Sequence, residues 1–154
     1  MMVKLWVLRH GDAEDPAPGM SDFDRNLTAT GREEARAAGK ALAATGVKPD
    51  LVLSSPRVRA RQTAELATAE LGVGFEVHEP LAGGFGAQDA LSILEGREGQ
   101  TVLLVGHMPD LAIVVRDLTF CPIPMRTGGL AHVRGSGADW ELAALLRPRE
   151  TRAY

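Results

Sequence analysis

Three short stretches of the chain are almost continuously apolar, and each is of the length of a buried strand. They are residues 3–8, 50–54 and 101–105. Strands that lack polar alternation are typical of a parallel sheet covered by helices on both faces. Alternating segments predict further strands at 75–78, 129–133 and 140–146.

Segments with helical periodicity separate these strands. The predicted helices cover 31–44, 56–71, 88–94 and a segment that begins at Pro109. Thr30 stands three residues before a glutamate, which is capping-box spacing. Ser55 and Pro56 are suited to cap and open the second helix, and Gly72 is placed to end it. Arg59 is therefore expected in the first turn of that helix.

The alternation of strands and helices predicts an α/β fold. We expect a three-layer α/β/α sandwich with a mostly parallel central sheet, formed by a single domain over residues 1–154. Residues 12–27 and 121–127 are rich in loop-forming residues and are expected near the site entrance. The charged tail, 147–154, is expected to be peripheral.

Composition excludes several classes of protein. The formal net charge of −3 argues against a broad nucleic-acid surface. Cys121 is the only cysteine, which rules out an internal disulfide and a cysteine-rich zinc site. The chain shows neither a signal-peptide pattern nor an apolar run of the roughly 20 residues that span a bilayer. A cytoplasmic protein without membrane or nucleic-acid partners is expected.

Candidate chemistry lies where the buried strands end. Arg9 and His10 follow the first strand, Arg59 follows the second, and His107 follows the third. Ligands of open α/β sheets bind just beyond the carboxyl ends of the strands. If the three strands are parallel neighbours, their ends lie about 5 Å apart and the four side chains face one ligand.

These residue types suit phosphoryl transfer. The reaction depends on positioning and on cationic stabilisation of phosphate oxygens, for which Arg9 and Arg59 are suited. Neutral imidazole can attack phosphorus, which makes His10 the candidate nucleophile. A hydrogen bond from its other ring nitrogen to a carbonyl would set the tautomer, and nearby arginines would disfavour its protonation. His107 would donate to a phosphate oxygen.

The remaining histidines and arginines have simpler interpretations. His78 and His132 are expected to be structural or exposed, and Arg57 and Arg61 are expected to be surface charges. The histidines show no metal-ligand spacing, so no metal site is expected.

Four motifs in strand context give the chain a family resemblance. They are Arg9-His10-Gly11, Leu27-Thr28-x-x-Gly31, Ser55-Pro56-x-x-Arg59-Ala60-x-x-Thr63 and Gly106-His107-x-Pro109. Together they resemble the histidine phosphatase superfamily, also called phosphoglycerate mutase-like, over most of the chain. The short length and the opening motif look most like bacterial phosphohistidine phosphatases of the SixA type.

The resemblance implies that His10 becomes phosphorylated while Arg9, Arg59 and His107 hold the transferred group, without metal or cofactor. Larger relatives have inserted segments over the pocket and a carboxylic acid that protonates the leaving oxygen. Glu79 and Asp12 are the candidates for that acid. A poorly placed acid lowers the rate of cleavage of alkyl phosphates more than that of phosphoramidates.

The predicted function is therefore a metal-independent phosphatase that acts on phosphohistidine in a protein partner. A small-molecule phosphomonoesterase of the same superfamily is the alternative enzyme, and a noncatalytic phosphate-binding module is the alternative of another class. The sequence leaves the partner, the oligomeric state and the proton donor open.

Overall fold

A six-stranded sheet forms the centre of the computed structural model, which describes residues 2–154; Met1, the first residue of the predicted domain, lies outside the described residues. The strands are β1 (Val3–Arg9), β2 (Leu51–Ser54), β3 (Glu76–Val77), β4 (Thr101–Gly106), β5 (Leu130–Ser136) and β6 (Asp139–Leu146). Their order is β3-β2-β4-β1-β5-β6. The first four strands run parallel, and β5 and β6 are antiparallel additions, so the sheet is mostly parallel as predicted.

Helices cover both faces of the sheet. They are α1 (Ala29–Ala44), α2 (Val58–Leu71), α3 (Ala87–Leu94), α4 (Asp110–Thr119) and α5 (Pro148–Thr151), with 3-10 turns at Asp22–Asp24 and Glu79–Ala82. Alternate residues of β1 point to opposite faces. Leu5 packs in the cluster that contains α3 and α4, and Trp6 packs in the cluster that contains α1 and α2. The predicted three-layer sandwich is confirmed.

Both helices that follow the first two strands begin at other residues than predicted. α1 is capped by Thr28, whose Oγ1 accepts a hydrogen bond from the backbone N–H of Gly31 at 3.0 Å, and the predicted cap Thr30 lies inside the helix. α2 begins at Val58, two residues after Pro56. Ser55 does not cap it, because its Oγ accepts from the backbone N–H of Arg57 in a turn before the helix.

The sequence predicts a peripheral carboxyl-terminal segment, and this prediction is wrong. It forms α5, which packs against α1, and both Pro148 and Thr151 are buried. Thr151 is fully enclosed, and its hydroxyl donates to the backbone carbonyl of Pro148 at 3.2 Å. This contact brings the arginines of the tail close to the carboxyl end of β1.

The two predicted loops lie at the same edge of the sheet as the strand ends. Residues 12–27 contain one isolated bridge, between Ala13 and Leu27, and the 3-10 turn Asp22–Asp24. Residues 121–127 carry the Met125 carbonyl, which accepts from Arg9 at 3.0 Å. None of the helices within residues 2–154 combines the length and apolar character that a membrane span requires.

Candidate active site

A cavity of about 400 Å³ lies at the carboxyl ends of β1 and β4 and the start of α2. All four predicted site residues line it, together with Asp12, Arg25 and Thr127 among others; the predicted four are Arg9, His10, Arg59 and His107. They meet because β4 lies between β1 and β2, so the three strand ends are adjacent. Two imidazoles and two guanidiniums therefore face one small space.

His10 is held in a defined orientation and tautomer. Its Nδ1 lies 2.7 Å from the carbonyl oxygen of Gly11, to which only a protonated nitrogen can donate. The neutral ring therefore carries its lone pair on Nε2, and the Nε of Arg59 lies 3.4 Å from that atom. Burial lowers the pKa of His10 to about 4, and the positive charges of Arg59 and Arg9 contribute to that lowering. His10 is neutral at physiological pH.

His107 lies beside His10, with ring centroids 5.3 Å apart. Its Nε2 is 2.7 Å from the Oγ of Ser55, which already accepts from the backbone N–H of Arg57. The Ser55 hydroxyl is thus suited to donate to Nε2, which puts the proton of the neutral ring on Nδ1. That Nδ1 is buried without a hydrogen-bond partner. Burial, His10 and Arg59 lower the pKa of His107 to about 3.

Arg9 and Arg59, the two arginines predicted to hold the phosphate oxygens, are anchored by different loops. Arg9 donates through one terminal nitrogen to the carbonyl of Met125, and its Nε is buried without a partner. Arg59 donates to the backbone carbonyl of Asp22 at 2.8 Å and contacts the carboxylate of the same residue at 3.2 Å. Only 9% of the Arg59 side chain is exposed, so its guanidinium is fixed close to His10.

Asp22 is a member of the site that the sequence interpretation missed. Its carboxylate contacts three guanidiniums, those of Arg25 at 3.1 Å, Arg57 at 2.9 Å and Arg59 at 3.2 Å. The hydrogen bond from Arg25 and the charge of Arg59 keep the pKa of Asp22 below its usual value. Arg57, predicted to be a surface charge, also donates to the carbonyl of Ala82 and belongs to the rim of the site.

The two candidate acids have different positions. Asp12 lines the cavity, and its carboxylate accepts from the hydroxyl of Thr28 at 2.7 Å. Its backbone N–H donates to the buried Glu34 at 2.8 Å, which holds the loop in place. Glu79 is exposed at the start of a 3-10 turn and does not line the cavity. Of the two candidate acids, only Asp12 therefore lies in the cavity.

The histidines outside the cavity and Arg61 make structural contacts. His132 stacks on Trp6 with ring centroids 4.3 Å apart, and His78 meets Phe85 edge to face at 6.3 Å. Arg61 donates to a backbone carbonyl of the turn that precedes α2. In the part of the chain from residue 2 onward, no group of three or more histidine, cysteine or acidic side chains could hold a metal ion.

Two glycines of the motifs allow the strand end and the first helix to approach closely. A Cβ on Gly31 would collide with the backbone carbonyl of Asp12, and a Cβ on Gly11 would collide with the carbonyl of Gly31. The Gly11 N–H donates to the Oγ1 of Thr63 on α2 at 3.0 Å. These contacts join β1, α1 and α2 at the point where His10 leaves the strand.

Comparison with known proteins agrees with this arrangement. The family model of the histidine phosphatase superfamily (branch 1) matches residues 5–88, which hold the first three motifs. The chain belongs to the histidine phosphatase superfamily. It is 35% identical to an uncharacterised protein of Picosynechococcus sp., over 96% of this chain and 98% of that one. The family model and the similarity to SixA together support a phosphatase, so a phosphorylated substrate is expected for this chain.

Solved structures of SixA proteins are similar over nearly the whole chain. The protein histidine phosphatase SixA complexed with tungstate superposes with a TM-score of 0.85 at 28% identity, over 96% of this chain and 98% of that chain. The SixA protein of Agrobacterium tumefaciens has a TM-score of 0.81 at 29% identity, over 94% of this chain and 97% of that chain. The predicted SixA-like, phosphoglycerate mutase-like fold is therefore confirmed.

Proposed function

We propose that this protein is a metal-independent phosphohistidine phosphatase that acts on a protein partner through a phosphorylated His10. The observation that carries the proposal is the fixed tautomer of His10, whose Nδ1 is bound to a carbonyl and whose Nε2 lone pair lies beside Arg59. A neutral, oriented imidazole is what nucleophilic attack on phosphorus requires.

In the first step, Nε2 of His10 attacks phosphorus while the bond from phosphorus to the substrate's imidazole nitrogen breaks. The electron pair of that bond goes to the leaving imidazole, which takes up a proton. Arg9 and Arg59 hold the equatorial oxygens in this account. The Nδ1 of His107, a buried donor without a protein acceptor, donates to one of those oxygens.

In the second step, water attacks phosphorus and the bond to Nε2 of His10 breaks. The products are inorganic phosphate and free imidazole on His10. Passage through a covalent intermediate divides one difficult displacement into two easier ones. The electron pair of the broken bond returns to Nε2, Nδ1 keeps its proton on the Gly11 carbonyl, and both protons of the water stay with the released phosphate.

The positions of the acids favour phosphohistidine over alkyl phosphates. An alkoxide leaving group needs a proton in the transition state, whereas a phosphohistidine nitrogen can be protonated by solvent before it leaves. Asp12 accepts a hydrogen bond from Thr28, and Glu79 is exposed away from the cavity. The relatives described as SixA support the same substrate class.

A cytoplasmic location stays a prediction from the sequence.

Rapid-quench mixing with ³²P-labelled phosphohistidine protein tests the proposal. We expect acid-labile, base-stable label on the enzyme within the first turnover, and none on His10→Ala. Turnover in the presence of a chelator is expected to be undiminished. Normal turnover by His10→Ala would overturn the mechanism. Tight phosphate binding without any turnover would instead identify a noncatalytic binding module, and hydrolysis of phosphate esters alone would identify a small-molecule phosphatase.

A further inference from the structure

A second cavity, of about 580 Å³, adjoins the candidate active site. Five arginines line it, and we call it the arginine cavity; they are Arg9, Arg126, Arg147, Arg149 and Arg152. They come from the end of β1, from the 121–127 loop and from the carboxyl-terminal segment. The cavity exists because α5 packs on α1 instead of extending into solvent.

Few negative charges balance these guanidiniums. Glu34 also lines the cavity, but it is buried and its two oxygens accept from the Asp12 backbone N–H and the Thr127 hydroxyl. Glu150, beside the cavity on α5, contacts Arg147 at 2.9 Å and Arg149 at 3.5 Å. An excess of positive charge is left after both carboxylates are counted, so the cavity is suited to an anionic ligand.

The arginine cavity and the candidate active site share part of their lining. Arg9 and Thr127 line both cavities. The Nε of Arg9 is buried without a hydrogen-bond partner, which leaves that guanidinium with unused capacity at the boundary. A ligand whose phosphoryl group lies at His10 can therefore extend past Arg9 toward the arginine cavity.

The spread of the arginines favours an extended ligand over a compact one. Small ligands are mostly enclosed by the pockets that bind them, with a few convergent polar groups. Here the side chain of Arg149 is 75% exposed and that of Arg147 is 51% exposed, and Arg126 and Arg152 are exposed as well. Separate, solvated guanidiniums match successive carboxylates of a peptide segment better than they match one phosphate ion.

We propose that the arginine cavity binds acidic side chains that flank the phosphohistidine of the protein substrate. The inference rests on the proposed function and adds the class of sequence that the enzyme prefers. Ion pairs between the carboxylates and exposed arginines steer the partner and select it, while His10 and its neighbours carry out the reaction.

Binding of peptides that carry a stable phosphonate analogue of phosphohistidine tests the proposal without turnover. One peptide has aspartate and glutamate on both flanks, and its partner has asparagine and glutamine at the same positions. Fluorescence anisotropy is expected to give a Kd about tenfold lower for the acidic peptide at low salt, with the difference falling as salt is added.

The double variant Arg149→Gln/Arg152→Gln is expected to remove most of this preference. The matched control is Arg116→Gln/Arg134→Gln, which removes the same charge from exposed positions at the other end of the sheet. Turnover of para-nitrophenyl phosphate should be unchanged in both variants. If α5 does not tolerate the double change, Arg126→Gln on the neighbouring loop is expected to reduce the preference in the same direction.

Equal affinity for the two peptides, or an equal loss in the control variant, would overturn the proposal. So would arginine-dependent inhibition by pyrophosphate without any peptide preference, which would identify a second phosphate of a small molecule as the occupant. If the acidic peptide is preferred but phosphohistidine protein is not hydrolysed, the arginine cavity stands and the proposed function fails. If phosphohistidine protein is hydrolysed equally with acidic and neutral flanks, the proposed function stands and the proposed role of the arginine cavity fails.

Discussion

His10 and His107 show how burial and hydrogen bonding set the state of two neighbouring imidazoles. Both are buried, and desolvation is the main cause that lowers their pKa values, to about 4 and about 3. Arginines contribute less than burial does, although the sequence argument relied on them. The hydrogen bond to Gly11 acts in the opposite direction, since it favours the charged ring. This hydrogen bond instead fixes the tautomer of His10, with the proton on Nδ1 and the lone pair on Nε2.

The lowered pKa of His10 predicts the acid limit of the proposed reaction. Because neutral imidazole is the nucleophile, the active form should persist from neutral pH down to about pH 4 and be lost below it. NMR titration of the histidine Cε1–H signals of the free protein measures this directly, with His10→Gln to assign the signal. A midpoint near 6.5, the ordinary value for histidine, would contradict the prediction.

Arg59 is predicted to act through the shape of its guanidinium as well as its charge. Three of its nitrogens are engaged, by His10, the Asp22 carbonyl and the Asp22 carboxylate. Arg59→Gln should lower kcat on the order of 10³-fold, by analogy with other phosphoryl-transfer arginines. Arg59→Lys should recover less than about tenfold, because a point charge cannot make the same contacts.

The control for Arg59 is Arg61→Gln on the same helix, which should leave kcat unchanged because Arg61 donates to the backbone carbonyl of Pro56 and does not line the cavity. Steady-state kinetics with para-nitrophenyl phosphate measure all three variants. Full activity of Arg59→Lys would show that charge alone suffices.

The four central side chains are predictable from the sequence because they lie at the ends of buried strands: Arg9 ends β1, His10 and His107 follow β1 and β4, and Arg59 lies in the first turn of the helix after β2. Parallel strands bring such positions together without any knowledge of the loops. Asp22 and Ser55 could not be found in this way. Asp22 reaches Arg57 across 35 residues through the fold of a loop that has no periodic pattern. The sequence predicts Ser55 to be a helix cap, whereas its hydroxyl contacts His107.

At the scale of elements, the site depends on the contact between the loop after β1 and the start of α1. Thr28 links the two, since its hydroxyl lies 2.7 Å from the Asp12 carboxylate and caps the helix. The absence of a side chain at Gly31 lets the Asp12 carbonyl lie against the helix. The orientation of His10 is therefore coupled to the first turn of α1.

Gly31→Ala is predicted to destabilise the protein and to lower its activity. Alanine has the better helix propensity by about 1 kcal/mol, but its Cβ would collide with the backbone of Asp12. Backbone cannot move aside as a flexible side chain does, so the collision should dominate and cost about 1–3 kcal/mol. Urea unfolding and turnover measure the two effects. Gly74→Ala, where a Cβ meets no atom within 4 Å, is the matched control and should be nearly neutral.

The predictability of the elements follows from their length and burial. The sequence predicts β1 and β4 nearly to the residue because both are almost continuously apolar and central. α5 was missed because its four residues are too short to show a helical period, and a charged tail gives no sign that Pro148 and Thr151 are buried. The arginine cavity, which α5 helps to form, was missed for the same reason.

At the scale of the whole molecule, three neutral imidazoles connect stability to pH. His10 and His107 lie in the candidate active site, and His132 lies in the middle of β5, stacked on Trp6. Burial lowers the pKa of His132 to about 4, and Arg134 and Lys4 add to the effect. Burial disfavours the charged form of each ring, so protonation in acid destabilises the folded state. Both the stability of the fold and the proposed reaction therefore require neutral histidines.

The protein is therefore predicted to lose stability as the pH falls from about 6.5 toward 4. In that range the unfolded chain binds more protons than the folded chain, so the free energy of unfolding rises with pH, by up to about 1.4 kcal/mol per pH unit for each histidine. His132→Phe keeps the stacking on Trp6 and removes one titrating group. Urea unfolding should show similar stability for variant and parent at pH 7.5, where the ring is neutral in both states. At pH 5 the variant should be more stable by about 1 kcal/mol, because solvent screening of the half-buried ring reduces the full effect of the pKa shift. Parallel curves for the two proteins across this range would refute the assignment of His132 as one of the responsible groups.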